Sequence, residues 1–373
     1  MSKEYDFLIV GAGLYGATFA HRARRDGLRC LVIDRRDVAG GNLRCENIEG
    51  VTVHSYGPHI FHTSDPDIWK YVSSLVEMQP YVHEPMALDV NGELRHLPFN
   101  MNTFEALWGT KTPEEAKAVI DSQRSSAPEH PLNLEDQAIA MVGTDIYNLL
   151  VKGYNEKQWG RPCTMLPSFL IKRIPLRFTY DNNYFEDTYT GVPVGGYNNL
   201  IDKLLEDTEV RLGVDYFKER DPYKDIARHT IFTGKVDEYF DYRFGRLDYR
   251  SIRFETEVID KPWAQPCGVI TDNTAEHDYI RVCEHKHFHK ECADAPKTVV
   301  VKEYPLEYRE GMEALYPVND VRNTAIYARY HDLANREPDV TFGGRLAEYT
   351  YYDMAPLIKK VLTDYDKVLS MMQ

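Results

Sequence analysis

Two groups of residues in this 373-residue chain have the types and spacing to grip phosphates. The first is Gly11, Gly13 and Gly16 in "IVGAGLYGA", a G-x-G-x-x-G spacing. Its first glycine permits a tight turn, its second lets backbone approach a pyrophosphate, and its third lets helix pack on strand. A helix starting there aims unbonded N–H groups and its positive dipole end at phosphate. Asp34 closes the next apolar run, near the roughly 20-residue offset at which a carboxylate accepts from ribose hydroxyls. The second group is Lys172, Arg173 and Arg177 in "FLIKRIPLRFTYDNNYF". Guanidinium groups bind a diphosphate bidentately and keep their charge at any working pH. A solvated charged turn has the same composition, so this segment alone leaves both readings open. Arg281, among β-forming residues in "DYIRVCEHKHF", is another candidate.

Other chemistries find less support. His285, His287 and His289 alternate in "HKHFH", and on a strand they would share a face. One strand seldom completes a tetrahedral set, and no cysteine or carboxylate is at ligand spacing, so no metal is expected. His59 and His62 in "GPHIFHT" fall where the backbone reads as extended, and such histidines more often pack or hydrogen-bond. No G-x-S-x-G elbow or zincin motif occurs. Glu135 and Asp136 read as helix surface. The 26 tyrosines, several beside glycine or arginine in the later half, offer rings to a base or sugar and hydroxyls to phosphate oxygens.

The elements that must position these groups follow from the pattern. Phe7–Val10 and Cys30–Ile33 are unbroken apolar runs, expected of parallel strands buried on both faces. After Asp34, "DRRDVAGGN" brings Gly40 and Gly41 where a plain NAD domain moves to its next helix. This resembles the FAD domain of glutathione-reductase and amine-oxidase type flavoproteins, and favours FAD. Residues 66–78 read as helix, and 80–99 as a hairpin turning at Asn91-Gly92. From Asn102 to Leu170 helical spacing dominates, with a capping Thr112 and Pro113 at the first helical position. "RSSAPEHP" reads as an exposed loop inside that block. Residues 175–197 and 229–310 turn strand-like and rich in tyrosine and arginine, suggesting an antiparallel sheet. "VTFGGRLAEYTYYDM" is strand followed by paired glycines, and "APLIKKVLTDYDKVL" is a helix. The dinucleotide domain is therefore expected to be discontinuous, completed by the C-terminal strand and helix.

Length implies two or three domains. Hydrophobic content of 43% and charged content of 27% are those of a soluble globular protein. No apolar run approaches the roughly 20 residues that span a bilayer, and the first residues lack a signal-peptide core, so a cytoplasmic, membrane-free protein is expected. Six dispersed cysteines read as reduced thiols. A net charge of −14 disfavours nucleic acid, and means a phosphorylated ligand needs arginines gathered locally.

The chain is similar to bacterial UDP-galactopyranose mutases over nearly its whole length. The resemblance rests on "DRRDVAGGN", "YGPHIFHTSD", "VKGYNEKQWGRP", "LPSFLIKRIPLRFTYDNNYF", "VPVGGYNNLI", "FTGKVDEYFDYRFGRLDYRSIRFE", "EHKHF", "LYPVND" and "FGGRLAEYTYYDM", in that order. It implies an α/β fold. A discontinuous Rossmann-like FAD domain (1–79, 205–236, 318–373) would carry an inserted helical domain (101–175) that forms the dimer contact. A twisted antiparallel sheet domain (80–100, 176–204, 237–317) would complete it. The implied reaction interconverts UDP-galactopyranose and UDP-galactofuranose through a sugar adduct at N5 of reduced FAD, supplying galactofuranose for surface polysaccharide. A homodimer and an unidentified cellular reductant go with it.

The family's diphosphate arginines fall on Arg173 and Arg281, and its phosphate-contacting tyrosines on Tyr184, Tyr316 and Tyr351. Tyr154, Asn155 and Trp159 fall on the uridine side, with Thr271 as a further substrate contact. Cofactor positions fall on Gly11, Gly13, Tyr15, Gly16, Asp34, Arg35, Gly41, Asn42, His59, Ile60, Arg345, Asp353 and Met354, with His62 beside the isoalloxazine. Arg173, Arg281 and His62 are the catalytic candidates. Thr271 stands where the family often has asparagine, Asn155 where it has threonine, and "DYIRV" where "PYTRI" is commoner. Motifs in the N-terminal part alone equally allow an amine-oxidase type flavin oxidoreductase, and a non-catalytic nucleotide-sugar-binding flavoprotein is a third reading.

Overall fold

The computed structural model describes residues 3–124 and 128–372, with the side chain of Arg173 outside the described residues. A five-stranded parallel sheet runs in the order Glu209–Leu212, Cys30–Asp34, Tyr5–Val10, Ala227–Phe232, Val340–Phe342. Phe7, Ile9, Leu31 and Val32 are fully buried, because both faces of this sheet are covered. On one face lie the helices Leu14–Arg25, Tyr197–Leu205 and Met354–Met372, the last pressing Tyr365 edge-on against Phe19 at 5.3 Å. On the other, Tyr216, Tyr223, Tyr239 and Ala347 pack over Leu8 and Ile33.

The second large sheet has seven strands, ordered Tyr316–Pro317, Tyr249–Ile259, Thr298–Glu307, Arg281–Glu284, Val269–Asp272, Met86–Leu88, Leu94–His96. It is antiparallel except where Val269–Asp272 runs parallel to Met86–Leu88. Between the hairpin Met86–His96 and the rest of this sheet the chain forms the helices Met101–Trp108, Pro113–Gln123, Leu134–Ile146 and Lys152–Trp159, around a core that includes Phe104, Ile120, Leu134 and Ile146. Asn100 and Thr112 begin two of them with reciprocal capping boxes. No helix among the described residues is long and apolar enough to cross a membrane.

The structure departs from the sequence expectations in several places. Helix 66–78 stops at Ser73, and Met78–Pro80 instead pairs with Tyr189–Pro193. Most of 175–188 is irregular, because its side chains compete for backbone groups. Asn183 Oδ1 accepts from Phe185 N at 3.2 Å, and Asn100 Nδ2 donates to the Asp181 carbonyl at 2.8 Å. "HKH" is a 3-10 turn, so His285, His287 and His289 do not alternate along a strand. The expected "RSSAPEHP" loop includes 125–127, outside the described residues.

Candidate active site

The glycine turn is built by exclusion of side chains. Gly11 has φ +117°, and a Cβ there would lie 1.9 Å from Thr233 Oγ1. A Cβ on Gly16 would lie 2.0 Å from the Gly11 carbonyl oxygen, so the helix Leu14–Arg25 meets its strand at glycine contact distance. Asp34 braces the turn, Oδ2 accepting from Ala12 N at 2.7 Å and Oδ1 from Arg36 N at 2.9 Å. The second glycine pair folds onto the first loop: Gly40 N donates to the Ala12 carbonyl at 2.9 Å, and a Cβ on Gly41 would lie 3.0 Å from Gly13 Cα. Asn42 is held through Oδ1 by Arg36 at 3.3 Å, and Arg36 also meets Glu313 at 2.6 Å and the Tyr56 ring at 4.7 Å. Arg35 is more exposed and pairs with the same Glu313 at 2.8 Å. The Tyr15 ring fills the space beside Gly343 and its hydroxyl donates to Asp364 at 2.7 Å. Asp353 is exposed at the start of the last helix, beside Met354, and its carbonyl accepts from Leu357 N.

One face of the seven-stranded sheet gathers the polar groups. Thr271, Arg281 and Glu303 are cross-strand neighbours. Arg281 Nη2 donates to Glu303 Oε2 at 2.5 Å, and Glu303 is fully buried. The Cys283 thiol donates to Glu303 Oε1 at 3.4 Å. Burial alone would pull the Arg281 pKa down, but the Glu303 carboxylate outweighs it and holds the guanidinium well above its usual value. Arg281 Nε is buried with no partner among the described residues. The turn carrying His59 lies on this pair, since a Cβ on Gly57 would stand 3.1 Å from Glu303 Oε1 and 3.5 Å from Arg281 Nη2. Ile60 is buried just beyond. Tyr316 and Tyr351 stack at 5.6 Å, with the Arg345 guanidinium 4.6 Å from the Tyr351 ring and 5.9 Å from Tyr316.

The helix Lys152–Trp159 presents Tyr154 and Trp159 half-buried, while the Asn155 amide is spent within the helix, donating to the Val151 carbonyl at 2.8 Å. Thr271 Oγ1 reaches the Met86 carbonyl at 3.5 Å. Tyr184 N donates to the His83 carbonyl at 2.7 Å, which sets that tyrosine edge-on to the His83 ring. His62 Nδ1 is 2.6 Å from Asp187 Oδ2, and its ring stacks on Phe185 at 3.9 Å. Arg177 is committed to Glu186, Asp181 and the Asn183 carbonyl, which removes it from the diphosphate candidates. Arg173 ends a 3-10 segment, Ser168–Arg173. Sequence reasoning missed Glu303, Cys283, Asp187 and Lys157. Glu303 is 22 residues from Arg281, and only strand register reveals the pairing.

Comparison with known proteins shows the family. A probable UDP-galactopyranose mutase of Klebsiella pneumoniae is 35% identical over 98% of this chain and 95% of its own length. This chain belongs to the UDP-galactopyranose mutase family. The profile of that family matches residues 149–351, and a Rossmann-like NAD(P)-binding profile matches residues 9–75. A dTDP-fucopyranose mutase of Escherichia coli is 34% identical over 95% of this chain and 96% of its own. The fold matches a crystal structure of reduced UDP-galactopyranose mutase with TM-score 0.74, at 14% identity over 98% of this chain and 96% of that one.

A UDP-galactopyranose mutase fold with these residues fits a flavin cofactor on two counts. The paired glycine loops leave backbone open for a pyrophosphate. Near Arg281 and Arg345, His59 Nδ1, His83 Nδ1 and both nitrogens of His285 are buried without a partner among the described residues, and such atoms call for a polar ring or ordered water. Burial and then Arg345 hold His59 down to about 3, and burial and then Arg281 hold His83 down to about 3. Burial and then His289 do the same for His285, also about 3. All three stay neutral at working pH.

These depressed values carry a sign. Above the ordinary imidazole value of 6.5 neither folded nor unfolded chain binds the protons, and no penalty applies. Between 6.5 and about 3 the unfolded chain binds them and the folded chain does not, so stability falls as pH falls. Each imidazole contributes at most about 1.4 kcal/mol per pH unit in that window. Melting temperature is expected to drop steadily from neutral pH towards pH of about 5, and His285→Phe to flatten the slope by about one proton. An unchanged slope in that variant would show His285 titrating alike in both states.

Proposed function

We propose that this protein interconverts the pyranose and furanose forms of UDP-galactose with bound, reduced FAD. The observation that carries the reading is Arg281: a half-buried guanidinium held by Glu303, its buried Nε unpartnered among the described residues, facing the turn that bears His59. In this reading Arg281 and Arg173 bind the diphosphate, with the hydroxyls of Tyr184, Tyr316 and Tyr351 at its oxygens. Their charge stabilises UDP as it leaves and returns. Tyr154 and Trp159 hold the base. Gly11, Gly13, Gly16 and Gly41 take the cofactor pyrophosphate, while Asp34 sets the glycine turn. Reduced FAD, when bound, supplies the nucleophile that retains the sugar while its ring opens and recloses. His59 and His62 orient it, and the neutral imidazoles offer it hydrogen bonds without adding charge.

The reading extends to a cytoplasmic homodimer that meets through the helical block 101–175, works with a separate cellular reductant, and supplies galactofuranose for surface polysaccharide. The three-part division of the chain given above goes with it.

A second reading has a specific basis: the Escherichia coli dTDP-fucopyranose mutase is nearly as similar as the Klebsiella protein. Purified protein incubated with UDP-galactofuranose or dTDP-fucofuranose, with and without dithionite, separates the two when the pyranose product is followed by chromatography. Conversion of the UDP-sugar only after reduction, without stoichiometric loss of reductant, is the expected result. Preference for the dTDP-sugar selects the second reading. Steady oxidation with peroxide formation would identify an oxidase, and binding without conversion a non-catalytic protein.

A further inference from the structure

The helix Lys152–Trp159 is tied to the hairpin between Val269–Asp272 and Arg281–Glu284 by one half-buried lysine. Lys157 Nζ lies 2.9 Å from Asp272 Oδ1, 3.2 Å from the carbonyls of Thr274 and His277, and 2.9 Å from that of Tyr279. An ammonium has three protons, so these four acceptors exhaust it. Asp272, itself buried, also accepts from Thr274 N at 2.9 Å, Thr274 Oγ1 at 2.8 Å and His277 Nδ1 at 2.7 Å. On the preceding turn, Tyr154 N donates to Asn273 Oδ1 at 3.1 Å. A Cβ on Gly153 would stand 2.2 Å from the Asn273 carbonyl oxygen, so the helix meets the hairpin at the closest approach glycine allows.

The anchor sits between the two recognition elements. Tyr154 and Trp159 flank Lys157 on the helix, while Thr271 and Arg281 lie within two residues of Asp272 and Tyr279 on the hairpin. Every proton of the ammonium is directed, so the contact specifies one geometry rather than an average over several. We propose that Lys157 is a positioning residue that sets the distance between the base-binding aromatics and the diphosphate arginine. This rests on the nucleotide-sugar reading above and deepens it. A ligand spanning both elements, such as UDP, feels the spacing, and feels it alike before and during departure from the sugar, so binding is weakened uniformly.

The test uses flavin-loaded Lys157→Met, compared with wild type for kcat and KM on UDP-galactopyranose and for UDP affinity by tryptophan fluorescence. KM and the UDP Kd are expected to rise together by about 10- to 100-fold, with kcat within about threefold and flavin content unchanged. A purely structural lysine would lower yield and melting temperature but leave KM alone in the folded fraction. Unchanged KM and Kd in the folded holoenzyme, or a loss confined to kcat or flavin, overturns the proposal. If Lys157→Met gives no soluble protein, Lys157→Met combined with Asp272→Asn, which strands no buried charge, is measured with the same readouts. A wild type that binds UDP but does not convert UDP-galactopyranose when reduced overturns the functional reading instead, and UDP affinity then still tests Lys157.

Discussion

Arg281→Ala is expected to slow interconversion in the reduced protein by roughly 30- to 5,000-fold, the equivalent of about 2–5 kcal/mol for a desolvated charged partner. Two effects add. On the proposed reading the diphosphate loses a directed donor, and Glu303, fully buried, is left with its negative charge beside the proposed diphosphate site. The second effect can be separated from the first. Arg281→Ala combined with Glu303→Gln removes the stranded carboxylate, so it should bind UDP more tightly than the single variant while staying slow. Initial rates and UDP affinity on the flavin-loaded proteins check both statements. A single variant within about threefold of wild type would remove Arg281 from the diphosphate site.

Gly16→Ala should yield protein with less than about a tenth of the wild-type flavin, read from visible absorbance after purification. Its new methyl would stand 2.0 Å from the Gly11 carbonyl oxygen and 3.0 Å from Ile9 Cγ2. Both lie on the buried strand Tyr5–Val10 or the turn that follows it, so the helix must move instead, withdrawing its N-terminus from the phosphates. Gly13→Ala makes the contrasting case. There the nearest atom is Gly41 Cα at 3.8 Å, an ordinary contact, so the flavin-free protein should melt near the wild-type temperature. Flavin should still be lost, because the methyl takes space the pyrophosphate needs. If both variants remained yellow, the glycine cradle would not be the cofactor site.

What could be read from the chain before its structure, and what could not, divides by sequence distance. The strand, glycine turn, helix, strand and Asp34 are consecutive, and local periodicity with steric need is enough to specify them. The hairpin near Asn91-Gly92 was legible for the same reason, although its loop has three residues rather than the two-residue turn that the pair suggests. Gly92 has φ +83°, and Asp89 Oδ1 accepts from Asn91 N and Glu93 N. Glu303, Cys283 and the Lys157–Asp272 tie were not legible, since each acts through a partner on another element and nothing in its neighbours marks it. "HKHFH" misled in the other direction. Alternation suggested a strand, yet tertiary packing turns it, burying His285 and His289 among rings that include His54. For Tyr15 the motif did not reveal where the side chain goes, because its hydroxyl is taken by Asp364, 349 residues away.

The closed contact between Arg281 and Glu303 has an electrical consequence. Together the two groups carry no monopole, and they sit in a molecule whose formal charge is −14. On the reading proposed above, chloride or orthophosphate reaching Arg281 meets a dipole rather than a positive well, and gains little by staying. On that same reading, a ligand that also engages aromatic rings on one side and tyrosine hydroxyls on the other is the one retained, and the unliganded protein already discriminates against the abundant small anions of a cell.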